Sequence, residues 1–274
     1  MKRYPLTHCV LEAGAPVEVG RATGHFWFSS IHPVDAQRLL CEVVITADKA
    51  QGKWPAALYG SQDGGASWEK AGEIESYGPS STPLAPRQLL LMPYEVWPLA
   101  PGDERNGSAD GTIITWNDHD GVSAEPAPVR FLDFPHDLAP YHEGELCLLT
   151  NGNILPLNDG RLFMTVYGKF AGDTKDRVFA VVSEDRGFTW RFRSVVANGA
   201  DIPDVYEGAN ESNTVRLADG RLLCVYRVGS GRPHPYHQSS SADEGATWTP
   251  PRKMEGVWSV EPRLVRLDNG LILL

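Results

Sequence analysis

Apolar residues in this chain come in short runs, at 26–28, 39–45, 89–92, 112–116, 162–167, 178–182 and 222–226. Many members are β-branched or aromatic, and most runs are bounded by Gly, Pro, Asp or Asn, the signature of strands separated by turns. No stretch shows the 3.6-residue periodicity of an amphipathic helix. The pattern predicts an almost entirely β protein. No apolar run approaches the roughly 18 residues that a membrane span needs.

The chain also repeats itself. Ser61-Gln62-Asp63-Gly64-Gly65-Ala66-Ser67-Trp68, Ser183-Glu184-Asp185-Arg186-Gly187-Phe188-Thr189-Trp190 and Ser241-Ala242-Asp243-Glu244-Gly245-Ala246-Thr247-Trp248 share the pattern S-x-D-x-G-x-[ST]-W. Such a box suits a turn between strands: Asp and Ser accept bonds from nearby backbone N–H groups, Gly supplies positive φ, and Trp covers the turn. A second element precedes each box. Leu157-Asn158-Asp159-Gly160-Arg161-Leu162 and Leu217-Ala218-Asp219-Gly220-Arg221-Leu222 carry an Asp-Gly pair that reads as a two-residue hairpin, and Val34-Asp35-Ala36-Gln37-Arg38-Leu39 is a degenerate version. Turn Asp and box Asp are 26 residues apart in one unit (159 to 185), 24 in another (219 to 243) and 28 in the first (35 to 63). Strand, tight turn, strand, longer loop, strand, box turn, strand makes a four-stranded unit. The region 87–123 supplies a further unit with poor motifs, and Leu267-Asp268-Asn269-Gly270 opens another. Repeated four-stranded units imply a β-propeller, because a ring of sheets buries the faces that one sheet cannot.

These boxes resemble the Asp-box, or bacterial neuraminidase repeat, of the sialidase family. The resemblance implies an all-β, six-bladed propeller of sialidase type, with about four blades and the start of a fifth in a single domain over 1–274. Leu271 to Leu274 are expected to be the second strand of a blade whose last two strands and box are missing, so the propeller is expected to be incomplete at its C-terminus. The implied activity is a glycoside hydrolase, an exo-α-sialidase of bacterial type, cleaving terminal sialic acid or a related acidic sugar without a cofactor. The implied site has three arginines on the sugar carboxylate, a Tyr nucleophile, a Glu that assists it as base, and an Asp acid. Such a scheme is physically sound: carboxylates favour bidentate guanidinium partners, and a phenol with a pKa near 10 needs a carboxylate beside it.

Glu211 precedes the turn at Asp219-Gly220 by about the same eight residues as Arg227 follows it, so a hairpin brings the two side by side at one end. The pair resembles the family's base Glu and second arginine; a structural ion pair is the plainer reading. Glu261, in Val260-Glu261-Pro262-Arg263, holds the similar place one unit later and is a second substrate-binding candidate beside Arg227. Asp48, in the loop between the first hairpin and first box, is the candidate acid, against a solvated turn residue. The family's first arginine has no counterpart in His25-Phe26-Trp27-Phe28-Ser29-Ser30-Ile31-His32-Pro33, Arg21 is out of register, and the third arginine and nucleophilic Tyr are expected beyond residue 274.

Composition narrows the partners. The 274 residues carry 25 Lys+Arg against 35 Asp+Glu, a net charge of −10, which disfavours nucleic acid and anionic membranes. The expected partner is a glycan or sialoglycoconjugate, with the oligomeric state left open. Basic residues open the chain without the apolar stretch of a signal peptide, so a cytoplasmic location is expected as written, and a secreted one if a signal is missing. Cys9, Cys41, Cys147 and Cys224 lack CxxC spacing, and the last three sit in apolar runs as small hydrophobes. His234-Pro235-Tyr236-His237 lacks a third ligand at metal spacing and reads as a polar loop. Trp54, Trp97 and Trp258 lie outside the boxes and either pack or stack on sugar. A propeller that binds a glycan or protein without cleaving it is the alternative function.

Overall fold

The structure, a computed structural model, describes residues 2–5, 10–47, 52–117, 121–141, 145–229 and 234–274. Among them the single helical element is a short 3-10 turn at Gly199–Asp201; everything else regular is strand. No helix is long and apolar enough to cross a membrane. A leading hairpin pairs β1 (Lys2–Pro5) with β2 (Val10–Ala13). The first four-stranded unit is β3 (Trp27–Pro33), β4 (Leu39–Val44), β5 (Ala56–Ser61) and β6 (Glu69–Ile74), paired in chain order.

The second unit uses β7 (Ser80–Ala85), β8 (Gln88–Met92) and the long hairpin of β10 (Asp103–Asn117) and β11 (Gly121–Leu132). It begins before, and ends after, the 87–123 segment that the sequence suggests. Between them β9 (Glu95–Ala100) crosses from β10 to the third unit, whose strands are β12 (Leu148–Thr150), β13 (Leu155–Pro156), β14 (Leu162–Gly168), β15 (Arg177–Ser183) and β16 (Thr189–Asn198). A parallel pairing of Arg130, Phe131 and Leu132 with Thr189, Trp190 and Arg191 joins β11 to β16, so the second and third units share one continuous sheet. The fourth unit is β17 (Asn210–Arg216), β18 (Leu222–Arg227), β19 (His237–Ser241) and β20 (Arg252–Lys253); β21 (Val265–Arg266) and β22 (Ile272–Leu273) form a further hairpin.

The apolar clusters lie between units, as a propeller requires. Leu40, Val44 and Leu58 meet Leu91 and Ile114 between the first and second; Met92, Val129 and Phe131 meet Met164, Phe179 and Trp190 between the second and third. Phe163, Val178 and Ala180 meet Leu222, Cys224 and Tyr226 between the third and fourth. Cys147 and Cys224 are free and buried within these layers, and Cys41 is free and buried in a separate cluster of the first unit with Val43, Ala57 and Tyr59, as expected of small hydrophobes, while Cys9 lies outside the described residues.

The three boxes share one set of hydrogen bonds around their Asp and Ser. The Ser hydroxyl donates to the Asp carboxylate at 2.8 Å in all three, and the Gly N–H donates to that Ser at 2.8–2.9 Å. The Ser or Thr N–H donates to the Asp at 2.8–2.9 Å. The boxes also staple neighbouring units: Arg186 donates to Leu84 O, Ser194 to Gly245 O, and Trp248 Nε1 to Ser194. The Asp-Gly turns correct the sequence reading. In each, Leu N–H donates to an Arg carbonyl four residues on (Leu157 to Arg161, Leu217 to Arg221) while Gly160 and Gly220 donate back to that Leu. They are three-residue connections, a β-turn followed by a left-handed Gly (φ +87° and +89°), not two-residue hairpins.

Hydrogen bonds from Thr247 hydroxyl and N–H hold the Asp243 carboxyl down at about 2. A depressed folded pKa stabilises the fold above the unfolded value near 3.8 and loses that contribution as pH falls toward 2. Asp243→Asn is therefore expected to lower Tm most above pH 4, with the deficit narrowing as pH approaches 2. A deficit independent of pH would mean the box does not use the charge.

Candidate functional site

In β17, Asn210 pairs with Arg227 and Ser212 with Tyr226, leaving Glu211 as an extra, unpaired residue at φ +35°. The first unit repeats this. Trp27 pairs with Val44 and Ser29 with Val43, leaving Phe28 at φ +40°. Glu261, ahead of β21, has φ +42°. A one-residue bulge re-aims a side chain, and a non-glycine residue at positive φ costs on the order of 1–3 kcal/mol, a strain concentrated at functional sites. The positive φ recurs at the first unit, the fourth and the hairpin after it, and Phe28, Glu211 and Glu261 share one small recess of about 20 Å³.

The recess adjoins a larger cavity of about 440 Å³ that also contains Glu211, with Arg227. Arg227 spans two carboxylates: Nη1 donates to Glu211 Oε1 at 2.6 Å and Nη2 to Glu207 Oε2 at 2.7 Å. The second Glu211 oxygen accepts the Glu261 N–H at 2.9 Å. Burial works against the Arg227 charge, but the Glu211 bond and the two carboxylate charges outweigh it and raise its pKa. Glu261 is pushed up by burial and by Glu211, against the opposing pull of its ion-pair partner Arg263. Asp176 and Glu95 also line the cavity, and burial holds them up to about 6 and about 7 respectively.

One wall is aromatic. Trp54 stacks on Phe28 with centroids 5.4 Å apart and planes at 11°, and on Tyr94 at 4.8 Å. Tyr94 and Tyr167 share a 2.8 Å hydroxyl bond, and burial raises both phenols, which therefore stay neutral and serve as hydrogen-bond donors and acceptors. Tyr206 stands at the rim, exposed and edge-on to His234.

Of the residues singled out from sequence, Glu211, Arg227 and Glu261 converge here, and Trp54 joins the wall. Asp48 lies outside the described residues. Arg21 pairs with Glu18 on the surface, and Trp258 is exposed. His237 departs from the polar-loop reading: it is buried in β19 and stacks on Tyr226. Sequence reasoning missed Asp176, Glu207, Glu95 and the three tyrosines Tyr94, Tyr141 and Tyr167. For Glu207 a signal existed, four residues before Glu211 in Glu207-Gly208-Ala209-Asn210-Glu211. The described residues contain no group of three His, Cys, Asp or Glu that could hold a metal ion.

Solved structures share this architecture at low identity. A protein of unknown function from Dyadobacter fermentans superposes with a TM-score of 0.63 at 17% identity, covering 90% of this chain and 74% of that one. Trypanosoma rangeli sialidase gives 0.54 at 15%, covering 84% of this chain and 38% of the sialidase, so the chain spans well under half of that enzyme. An α-L-arabinanase of Penicillium chrysogenum complexed with arabinobiose gives 0.50 at 14%, covering 85% and 67%. The likeness is one of fold, all-β and propeller-like. No curated protein sequence matches. The model of the BNR repeat-like domain, however, matches residues 128–269. That stretch holds two of the three boxes, the turns before them, and the Glu211–Arg227 hairpin, and it makes up more than half of the 274 residues. The chain belongs to the BNR repeat-like domain family.

Proposed function

We propose that this protein is a glycoside hydrolase of exo-α-sialidase type, removing a terminal sialic acid or related acidic sugar from a glycoconjugate. Its framework would be one six-bladed propeller domain that includes residues 1–274. The observation that carries the reading is the Glu211–Arg227 pair, set by a strained bulge at the edge of a cavity large enough for a sugar ring. Glu211 accepts from the guanidinium with one oxygen and from a backbone N–H with the other, which fixes its carboxyl at the cavity edge as a base must be. Arg227 offers the planar fork that suits a carboxylate. Tyr206, exposed at the rim, supplies an apolar face of the kind on which sugar C–H groups stack.

One observation favours a second reading. The Arg227 fork already spans Glu211 and Glu207, and the cavity wall holds the carboxyls of Glu95, Asp176, Glu207 and Glu211 against the cations Lys169 and Arg227. An acidic sugar has to displace Glu207 to reach Arg227, whereas a neutral sugar does not. The test offers the protein 4-methylumbelliferyl sialoside and 4-methylumbelliferyl α-L-arabinofuranoside in parallel. Fluorophore release from the sialoside is the expected result. Release from the arabinofuranoside alone moves the assignment to a neutral sugar, and glycan binding without release from either makes this a binding propeller.

A further inference from the structure

A second carboxyl reaches the same cavity from an independent part of the chain. Asp176, just ahead of β15, has its backbone gripped on both sides: its N–H donates to Glu207 O at 2.8 Å, and its carbonyl accepts from Gly199 N at 3.1 Å and Ala209 N at 3.0 Å. The fit is close. A Cβ on Gly199 would lie 2.4 Å from the Asp176 carbonyl oxygen, and one on Gly208 2.5 Å from the Asp176 nitrogen. The residue is only 6% exposed, and its side chain lines the cavity, where Oδ2 accepts from Asn210 Nδ2 at 3.3 Å.

The groups facing it are Lys169 just after β14, Glu207 from the segment before β17, Arg227 at the end of β18 and the Tyr141 phenol. Burial dominates and disfavours the ionised form; Glu207 adds to it, while Asn210, Lys169 and Arg227 oppose it. Glu211 lives in the opposite environment, both oxygens bonded to donors of which one is a guanidinium. Two carboxyls in one cavity, one buried away from water and the other bonded to a guanidinium and a backbone N–H, suit the separate tasks of acid and base.

We infer that Asp176 is the proton donor of the site, with Glu211 as its partner base; the inference rests on the hydrolase reading above. In the step, the Asp176 proton passes to the departing glycosidic oxygen, which keeps the electron pair of its broken bond to the anomeric carbon. A water oxygen forms the new bond to that carbon, and Glu211 takes the proton that the water gives up. One water is consumed. Asp176 ends as a carboxylate and Glu211 as an acid, and exchange with solvent resets both. This is a two-carboxylate apparatus built from described residues, in place of a tyrosine nucleophile.

The test uses the full chain and aryl glycosides of N-acetylneuraminic acid and of α-L-arabinofuranose, each with a 4-nitrophenyl and a 4-methoxyphenyl leaving group. A proton donor matters most where the leaving group is poor. Asp176→Asn is expected to lower kcat/KM for the 4-methoxyphenyl glycoside by about 10²–10⁴-fold, to lower it far less for the 4-nitrophenyl one, and to remove the basic limb of the pH profile. Equal losses on both leaving groups, or an intact basic limb, overturn the role of Asp176 and leave the hydrolase reading standing. No turnover of any substrate by the wild type overturns the hydrolase reading itself. The protonation state is decided separately, by carboxyl ¹³C titration of the wild type. A resonance titrating near pH 6 and missing from Asp176→Asn supports the inference, and titration near 4 overturns it.

Discussion

Replacing Glu211 by glutamine is expected to lower kcat/KM by about 10²–10⁴-fold on whichever glycoside the wild type turns over, the usual range for losing a positioned base. The substitution conserves shape and removes the charge. Both native oxygens are acceptors, one for Arg227 at 2.6 Å and one for the Glu261 N–H at 2.9 Å. A glutamine amide has one oxygen and one nitrogen, so whichever way it turns, a donor faces a donor. One buried donor is left without its acceptor, at a cost of about 1–3 kcal/mol. With the amide nitrogen toward Arg227, the guanidinium loses its Glu211 bond and retains the one to Glu207. The variant is expected to melt a few degrees lower yet stay folded at 25 °C, so the activity loss far exceeds what unfolding explains. Kinetics on the purified variant beside its melting curve check this. Wild-type turnover in Glu211→Gln would remove Glu211 from the chemistry and leave the pair with a structural role.

What was legible in the sequence was whatever repeats locally. The carboxylate hydrogen bonds of Asp63, Asp185 and Asp243 stay within their own boxes, so these residues betray their conformation without a distant partner. The Glu211–Arg227 contact was legible for the same reason, being fixed by counting along one hairpin. The bulge that re-aims Glu211 was not, because an extra residue in a strand leaves no compositional trace; three separate units had to fold before Phe28, Glu211 and Glu261 showed the same positive φ. Nor did any pattern announce Asp176, Tyr94 or Tyr167. Their neighbours come from other units, 31 to 73 positions away (Asp176 with Glu207, Tyr94 with Tyr167), and meet only when sheets stack around a centre. Of the long β10–β11 hairpin only the 112–116 run stood out, because the rest of its strands carries few apolar runs and its pairing with β16 is parallel and remote. Local chemistry thus identifies the fold and one pair of the site, while the remaining wall is a product of ring geometry.

Gly208→Ala is expected to damage both stability and the site, because Gly208 is where these two levels meet. Its φ of +96° already disfavours a side chain, and an added Cβ would lie 2.5 Å from Asp176 N and 2.6 Å from Asp176 O. Both are backbone atoms, so no rotamer change relieves the contact. The bonds on either side, Asp176 N–H to Glu207 O and Ala209 N–H to Asp176 O, have to stretch or break. Gly220 serves as the control, since its φ is +89° but nothing lies within 4 Å of an added Cβ. Gly220→Ala is expected to cost about 1 kcal/mol from the left-handed backbone alone, whereas Gly208→Ala adds steric strain and two weakened hydrogen bonds, for about 3 kcal/mol or more. Urea unfolding of both variants measures the difference. Any shift of residues 207–210 away from Asp176 also moves Glu207 off Arg227 and changes the start of the strand that carries Glu211, so only Gly208→Ala should lose turnover. Equal costs in the two variants, or full activity in Gly208→Ala, would show that the grip on Asp176 is looser than its geometry implies and that the cavity does not depend on it.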